Sequence, residues 1–482
     1  MDSLLVIAPV AVPAAAACVY AVLGWNRVTA WLGTLSAAGL LSCAVALAAG
    51  DRRDALGGLL LSDALSAFML LVIGAVALLA MAASPAYLAA ELAAGHTGPR
   101  AMRRYGVLTQ SFIAAMALAV LSSSLGLLWV AIEATTILTA FLVGHRRTRQ
   151  ATEAAWKYVV ICSVGIALAL LGIVMVHYAG TRAGIASLDW VVLAEHANRL
   201  DPGVMRIAVM LLVLGFGTKA GLAPMHAWLP DAHSQAPAPV SALMSGVLLS
   251  VAFYAILRVK VIADLALGAG FARVLLVVVA LASLAVAALL LLGQRDYKRL
   301  LAYSSIEHMG LVALGAAIGN TLALVAVLLH ILGHGLGKSV LFLSAGQLHQ
   351  ALGSSRIHAV RGLLARAPLL SGVFALGLLA LLGLPPFSLF ASELGIARAG
   401  VATGLGWAIA AALVLMLVIV AAIGRQGRRM LLGGGPGEAI ALPRSVAVPL
   451  VAGLAGCAVL GITLGPLHSL LQAAATIAGA TP

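Results

Sequence analysis

Charge is what this 482-residue sequence has least of: 9% of its residues are Asp, Glu, Lys or Arg, about a third of the share in an ordinary soluble domain. With 63% hydrophobic residues, too little polar surface remains to cover a water-soluble fold, so the chain is expected to lie in a bilayer. Cysteine is scarce too. Cys18, Cys43, Cys162 and Cys457 sit singly in apolar runs without CxxC or Cys/His spacing, which argues against an iron–sulfur or zinc site. No GxGxxG follows a strand pattern and no CxxCH occurs, so nucleotide and haem motifs are missing as well. No Lys or Arg precedes the first apolar run, which is therefore expected to be a retained span and not a cleaved signal peptide.

The basic residues that are present, 29 Lys/Arg against 16 Asp/Glu, lie in short loops between apolar stretches and not in a basic tract, which speaks against nucleic acid. A crossing helix needs about 20 apolar residues. On that template the chain is an all-α polytopic integral membrane protein with about fourteen transmembrane helices, near 4–23, 28–48, 62–82, 105–122, 125–143, 156–178, 204–226, 238–257, 270–293, 300–318, 321–346, 368–392, 403–424 and 445–465. Alternating the loops between two sides collects most of the Lys/Arg, such as Arg146 and Arg147, on one side. The other side, with Arg199, Arg258 and Lys260, has half as many. The positive-inside rule then places both termini on the outer side of the cell inner (plasma) membrane.

Two apolar runs are interrupted alike, at Gly221-Leu222-Ala223-Pro224 in the seventh span and Gly383-Leu384-Pro385-Pro386 in the twelfth. An offset of five spans is odd, so the two copies run in opposite directions across the membrane. Paired broken helices in inverted repeats point to a transport site; a packing kink is the alternative, since membrane helices tolerate Pro and Gly. The resulting division is 1–104 for the N-terminal helices, 105–260 for a first five-helix repeat, 261–424 for its inverted partner, and 425–482 for a final span and tail.

Ionisable residues within a bilayer are rare and usually functional. Glu133 lies in the fifth span, Lys219 in the seventh just before the break, and Glu393 beyond the break of the twelfth. His330, His334 and Lys338 follow each other at i, i+4, i+8 in the eleventh span, stacked on one helix face with about 6 Å between them. Gly333, Gly335 and Gly337 alternate with them, leaving room for water or a close helix. Imidazoles titrate near neutrality, so the triplet suits a proton relay; histidines bonded to neighbouring carbonyls are the alternative. Glu133 and Lys219 are expected to act as a pair, either switching a proton or forming a structural ion pair. Pro224, lacking an N–H, is expected to free the carbonyl of Ala220. Glu393 is expected to be the acidic inverted-repeat counterpart of Lys219 and the relay's exit, or else to neutralise Lys338 or Arg398. Glu307 and His308 are expected near the membrane interface, and Asp63 in water.

These motifs resemble the antiporter-like membrane subunits of NADH:quinone oxidoreductase (complex I), multisubunit cation/proton antiporters and membrane-bound [NiFe] hydrogenases. The resemblance is carried by GFGTKAGLAPMHAWLPDAHSQAPAPVSALMSG at 215–246, RDYKRLLAYSSIEHMG at 295–310 and HILGHGLGKSVLFLSAG at 330–346, and extends over roughly residues 60 to 420. IEATT at 132–136, WKYVVICSVGIALALLG at 156–172 and SSIEHMG at 304–310 look most like the F-type membrane subunits of hydrogenase-4. The resemblance implies key relay positions at Glu133, Lys219, Lys338 and Glu393, to which the spacing in the eleventh span adds His330 and His334. It also implies a proton-translocating subunit with no cofactor in this chain. Nickel–iron and iron–sulfur centres would then reside in partner subunits, membrane and peripheral, of a respiratory oxidoreductase complex. A cation/proton antiporter subunit, or a scaffold with a decayed relay, is the alternative. One position departs from the pattern: many relatives carry a lysine in the eighth span where Ser250 stands, so the central relay is expected to be water-mediated or incomplete.

Overall fold

A computed structural model describes residues 2–433, 439–440 and 442–481; part of the 425–482 stretch therefore lies outside the described residues. Among the described residues thirteen helices are long and apolar enough to cross a membrane. The interrupted pair Pro368–Leu381 and Ser388–Ala402 occupies the position of the expected twelfth span, 368–392, the first of the two being an apolar helix shorter than the thirteen. The one sheet among the described residues is a hairpin between the second and third spans, Arg53–Ala55 against Leu60–Ser62, with Asp54 opposite Leu61.

The few polar residues near span ends start helices. The first turn of a helix has free N–H groups that hydrocarbon cannot satisfy. Side chains of Thr148, Asp201, Asp296 and Asn320 accept from the N–H of Ala151, Val204, Arg299 and Ala323 respectively. Such caps contribute about 1 kcal/mol each.

Asp63 caps the third span through Ser66, but it is not in water. It is 7% exposed and accepts from Arg258 Nη2 at 2.8 Å. Arg258, assigned to a loop by the sequence pattern, is buried as well, its guanidinium 3.9 Å from the Trp190 ring centroid and 4.9 Å from that of Tyr254. The eighth helix runs on to Leu267, which draws Arg258 inside, and a partner 195 residues away leaves no local trace in the sequence.

The spans divide into a core and a belt. In their most apolar stretches the eighth and tenth spans are 100% buried and the eleventh 94%, against 33% for the first, second, thirteenth and fourteenth. Glycines allow the core helices to touch. A Cβ on Gly335 would lie 2.9 Å from the carbonyl oxygen of Gly246 in the eighth span, and one on Gly333 would strike Ser388 of the twelfth. The alternating glycines of the eleventh span thus serve close helix packing, the mode in which membrane helices gain dispersion contact.

Both interruptions use the same turn. The N–H of Leu222 bonds to Gly217 O at 2.9 Å and that of Gly221 to Thr218 O at 3.2 Å; Leu384 bonds to Leu379 O and Gly383 to Ala380 O, both at 3.2 Å. Gly221 and Gly383 have φ of +76° and +61°, left-handed values that glycine adopts without steric penalty. The seventh helix therefore ends at Lys219 by a glycine cap, before Pro224 can affect it, and the expected freeing of the Ala220 carbonyl by Pro224 does not arise. Superposing the two caps residue by residue pairs Gly221 with Gly383 and hence Lys219 with Leu381. Lys219 ends its helix two residues before Gly221, whereas Glu393 lies ten residues beyond Gly383, in the half-helix that follows the break.

Candidate functional site: a buried polar axis

Lys219 is the last residue of its helix and fully buried. Its ammonium donates to Thr136 Oγ1 at 2.9 Å and to the Tyr158 hydroxyl, and its Nζ lies 4.7 Å from the Tyr158 ring centroid. Thr136 in turn donates to Glu133 Oε2 at 3.0 Å. Glu133 and Lys219 are thus brought together through one hydroxyl, with no direct ion pair among the described residues. Glu133 is only half-buried. The Tyr158 ring packs on Trp228, centroids 4.9 Å apart, and Trp228 Nε1 donates to Thr218 O at 2.9 Å, so the first residue of the half-helix Trp228–Gln235 braces the lysine's own turn.

That half-helix is anchored by charge. Lys298 donates to the carbonyls of Ser234 and Ala236 at 3.0 and 3.2 Å, a cation at a helix C-terminus where the dipole favours it. Asp231 pairs with Arg299 at 2.6 Å and Lys157 at 3.3 Å. Between the anchors His233 is fully enclosed, stacked on Phe342 with centroids 4.8 Å apart, and neither ring nitrogen has a protein partner. An imidazole with two orphaned nitrogens is stable only where water completes its bonds.

Lys338 donates to Leu301 O at 2.7 Å and to Ser304 Oγ. It does not bond His334, whose Nε2 has no partner, so the i, i+4, i+8 residues form no direct ladder. The tenth span supplies the rungs. His308 Nδ1 lies 3.0 Å from His330 Nε2, the His308 ring centroid is 5.1 Å from that of His334, and His330 Nδ1 meets Ser392 Oγ at 2.9 Å. Glu307 and His308 are 4% and 0% exposed, not interfacial. The tenth helix starts at Tyr297, capped by Asp296, three residues earlier than its apolar pattern suggests, which puts both at mid-helix.

Glu393 closes the axis. One ligand atom each of His308, His330 and Glu393 lies within 4.8 Å of the others. Two imidazoles and a carboxylate are also a metal donor set, but the direct His308–His330 hydrogen bond occupies the two facing nitrogens. The Glu393 carboxylate lies against Gly383 so closely that a Cβ there would collide with it. It also lines a cavity of about 320 Å³ with Leu311, Leu314, Phe390 and Met416. Gly461 lets the fourteenth span rest on this second break at Pro386–Ser388.

The structure so gathers the six expected residues into two clusters, one around Lys219 and one around Lys338. The buried interior also holds polar groups the motifs did not single out, His233 and the Ser245–Ser305 hydroxyl pair at 2.8 Å, besides Ser250, fully buried with an unpartnered hydroxyl. Thr136 was within reach of sequence reasoning, being three residues from Glu133 on the same helix face.

Residues 122–419 match the family model described as NADH:quinone oxidoreductase/Mrp antiporter, TM. A hydrogenase-4 component F homolog of Methylacidiphilum infernorum is 40% identical over 76% of this chain and 77% of its own length. The N subunit of the NADH-quinone oxidoreductase of Desulforudis audaxviator is 33% identical over 65% of each. Among solved structures, a chain of an archaeal membrane-bound sulfane sulfur reductase, a respiratory membrane complex, superposes with a TM-score of 0.89 at 24% identity, covering 99% of this chain and 98% of that one. The chain belongs to the NADH:quinone oxidoreductase/Mrp antiporter transmembrane family.

Proposed function

We propose that this chain is the proton-translocating membrane subunit of a hydrogenase-4-like or complex I-like respiratory complex, coupling redox chemistry in partner subunits to proton movement here. The observation that carries this reading is the buried axis, in which Lys219, His233, His308, His330, His334 and Lys338 lie in fully enclosed positions, the lysines held by hydroxyls and a carbonyl and His308 bonded to His330, with no carboxylate paired directly to either lysine among the described residues. A lysine held by hydroxyls can give up its proton without leaving a buried carboxylate unpaired. In this reading the first repeat, 105–260, loads a proton at Glu133 and Lys219. The second, 261–424, passes it through Lys338 and the histidines to Glu393. Nickel–iron and iron–sulfur centres would belong to partner subunits. The Lys/Arg distribution supports termini on the outer side of the plasma membrane.

The test is Thr136→Val beside Lys219→Ala and Lys219→Arg in the reconstituted complex. Valine keeps the shape of threonine and removes the hydroxyl that joins Lys219 to Glu133, and arginine does not readily release its proton. All three variants are expected to assemble and transfer electrons with proton pumping lost or strongly reduced, while Thr136→Ser retains it. Full proton-to-electron stoichiometry in the arginine variant would exclude a protonation cycle at this position.

A further inference from the structure

Away from the axis, at the Lys/Arg-rich ends of the third, fourth and fifth spans, lies a cavity of about 690 Å³ lined by Gly98, Arg100, Arg104, His145, Arg146 and Arg147 among others. Its charge is uncompensated. Arg146 is taken up by Glu91, at 2.7 and 2.9 Å, and among the described residues no carboxylate pairs with Arg100, Arg104 or Arg147. The Nε and Nη2 of Arg104 are buried without any hydrogen-bond partner, a situation that costs about 1–3 kcal/mol per group or more when charged. The fourth helix begins here at Pro99, and its N-cap Gly98 offers no side chain to the free N–H groups. Burial and the neighbouring Arg104 charge push the His145 imidazole down to about 4, so it stands neutral at pH 7, as a surplus of positive charge would require.

Arg104 also lines a second cavity, of about 460 Å³, and this one is apolar. It runs between the fifth and sixth spans past Phe141, Ile137, Ala155, Trp156 and Val159. From Gly144 to Ile137 that is seven residues, or about 10 Å of depth. Ile137, Phe141 and Trp156 are 55%, 56% and 65% exposed, so the groove opens on the outer face of the helix bundle, where lipid chains lie. Trp156 stands near its upper end, the depth at which tryptophan marks a membrane interface.

A basic cavity at headgroup level joined through one arginine to an apolar groove at chain level has the shape and charge of an anionic amphiphile. We propose that these two cavities hold one anionic phospholipid, its phosphate among Arg100, Arg104 and Arg147 and one acyl chain along the groove between the fifth and sixth spans. The phosphate oxygens would take the orphaned Arg104 donors in charge-assisted bonds, and basic pockets between helices suit such headgroups. The groove selects a lipid over a free anion, because inorganic phosphate leaves it empty. Its deep end lies one helical turn from Glu133, at i+4 from that residue, so the bound chain would also cover the half-buried carboxylate of the relay.

The test uses the intact complex, delipidated in detergent and examined by native mass spectrometry and thermal unfolding with added phosphatidylglycerol, phosphatidylcholine or inorganic phosphate. Phosphatidylglycerol is expected to be retained at one per chain and to raise the melting temperature, phosphatidylcholine and phosphate to do neither. Arg100 and Arg147 are exposed, so the double variant Arg100→Gln/Arg147→Gln should fold, and it is expected to bind phosphatidylglycerol roughly tenfold or more weakly. Ala155→Trp leaves every arginine in place and fills the groove, and it is expected to weaken binding comparably. Equal retention of both lipids, an equal shift with inorganic phosphate, or full phosphatidylglycerol binding by Ala155→Trp would each overturn the proposal.

Discussion

The imidazoles of His308 and His330 face each other, Nδ1 to Nε2, at 3.0 Å between the tenth and eleventh spans. Such a bond needs one N–H and one lone pair, so a single proton lies between the rings. A second proton entering at the unpartnered Nε2 of His308 drives the shared one toward His330, whose Nδ1 meets Ser392 at 2.9 Å. His308→Gln keeps a hydrogen-bonding side chain but cannot pass a proton through itself. The variant is expected to assemble and to pump at least about tenfold more slowly, in line with the loss of a positioned proton-transfer group. Fluorescence-quench assays in proteoliposomes, at matched electron transfer, read the effect; an unchanged rate would remove the pair from the path.

Asp63 and Arg258 predict a stability effect separate from pumping. Removing one partner of a buried ion pair costs about 3–5 kcal/mol because the other charge is left uncompensated. Asp63→Asn is therefore expected to lower the melting temperature and the yield of assembled complex. The pH dependence has a definite sign. Burial alone would raise the Asp63 carboxyl, but Arg258, with the Ser66 N–H and hydroxyl, holds it below the usual carboxylate range. A depressed folded value contributes stability above the unfolded pKa of about 3.9 that is lost as pH falls through the lower folded value. Between pH 5 and 8 this pair's contribution should be constant, and thermal melts across that range should show no slope that Asp63→Asn abolishes.

Span number and the two breaks were legible because hydrophobic length and Gly/Pro punctuation are local signals, and the six relay residues could be proposed because intramembrane charge is another. What was not legible is which groups meet. Asp63 looks solvated from its neighbours in sequence and is buried by an arginine 195 residues later. Glu307 and His308 looked interfacial because Lys298 and Arg299 precede them closely, yet Lys298 is buried too, bonded to carbonyls of the half-helix. The eleventh-span triplet had the right spacing, but spacing along one helix cannot reveal that its hydrogen-bonded partners stand on the tenth and twelfth.

Ser250 tests whether the axis tolerates a charge where many relatives carry one. It is fully buried in a completely enclosed span, two residues after a π-helical turn at Met244–Leu248. Lysine there would need room for three more side-chain carbons and partners for three N–H groups, where the Ser250 hydroxyl itself already finds no protein partner. Overpacking costs about 1–3 kcal/mol and an unpaired buried charge more. Ser250→Lys is expected to assemble poorly, as judged by co-purification of partner subunits. Normal assembly with faster pumping would mean that water fills this region and can solvate an ammonium.

In the proposed relay Glu393 is the exit. Its carboxylate sits within 4.8 Å of ligand atoms of both His308 and His330, and it lines a cavity bounded by the tenth, twelfth and thirteenth spans. The competing role, neutralising Lys338 or Arg398, finds no support in the geometry. Lys338 bonds Leu301 and Ser304, and no ion pair joins Glu393 to either cation among the described residues. Glu393→Gln keeps the size and one acceptor, so the contact with Gly383 and the fold should survive. Glutamine cannot take up a proton from the imidazole pair and release it. The variant is expected to assemble at wild-type levels and to transfer electrons at an equal or lower rate without releasing protons. Glu393→Asp, which keeps an acid one methylene shorter, is expected to restore part of the flux. A Gln variant pumping at the wild-type proton-to-electron ratio would show that the exit lies elsewhere, with Glu307, whose unpartnered Oε2 makes it the nearest other acid on the axis, as the next position to test.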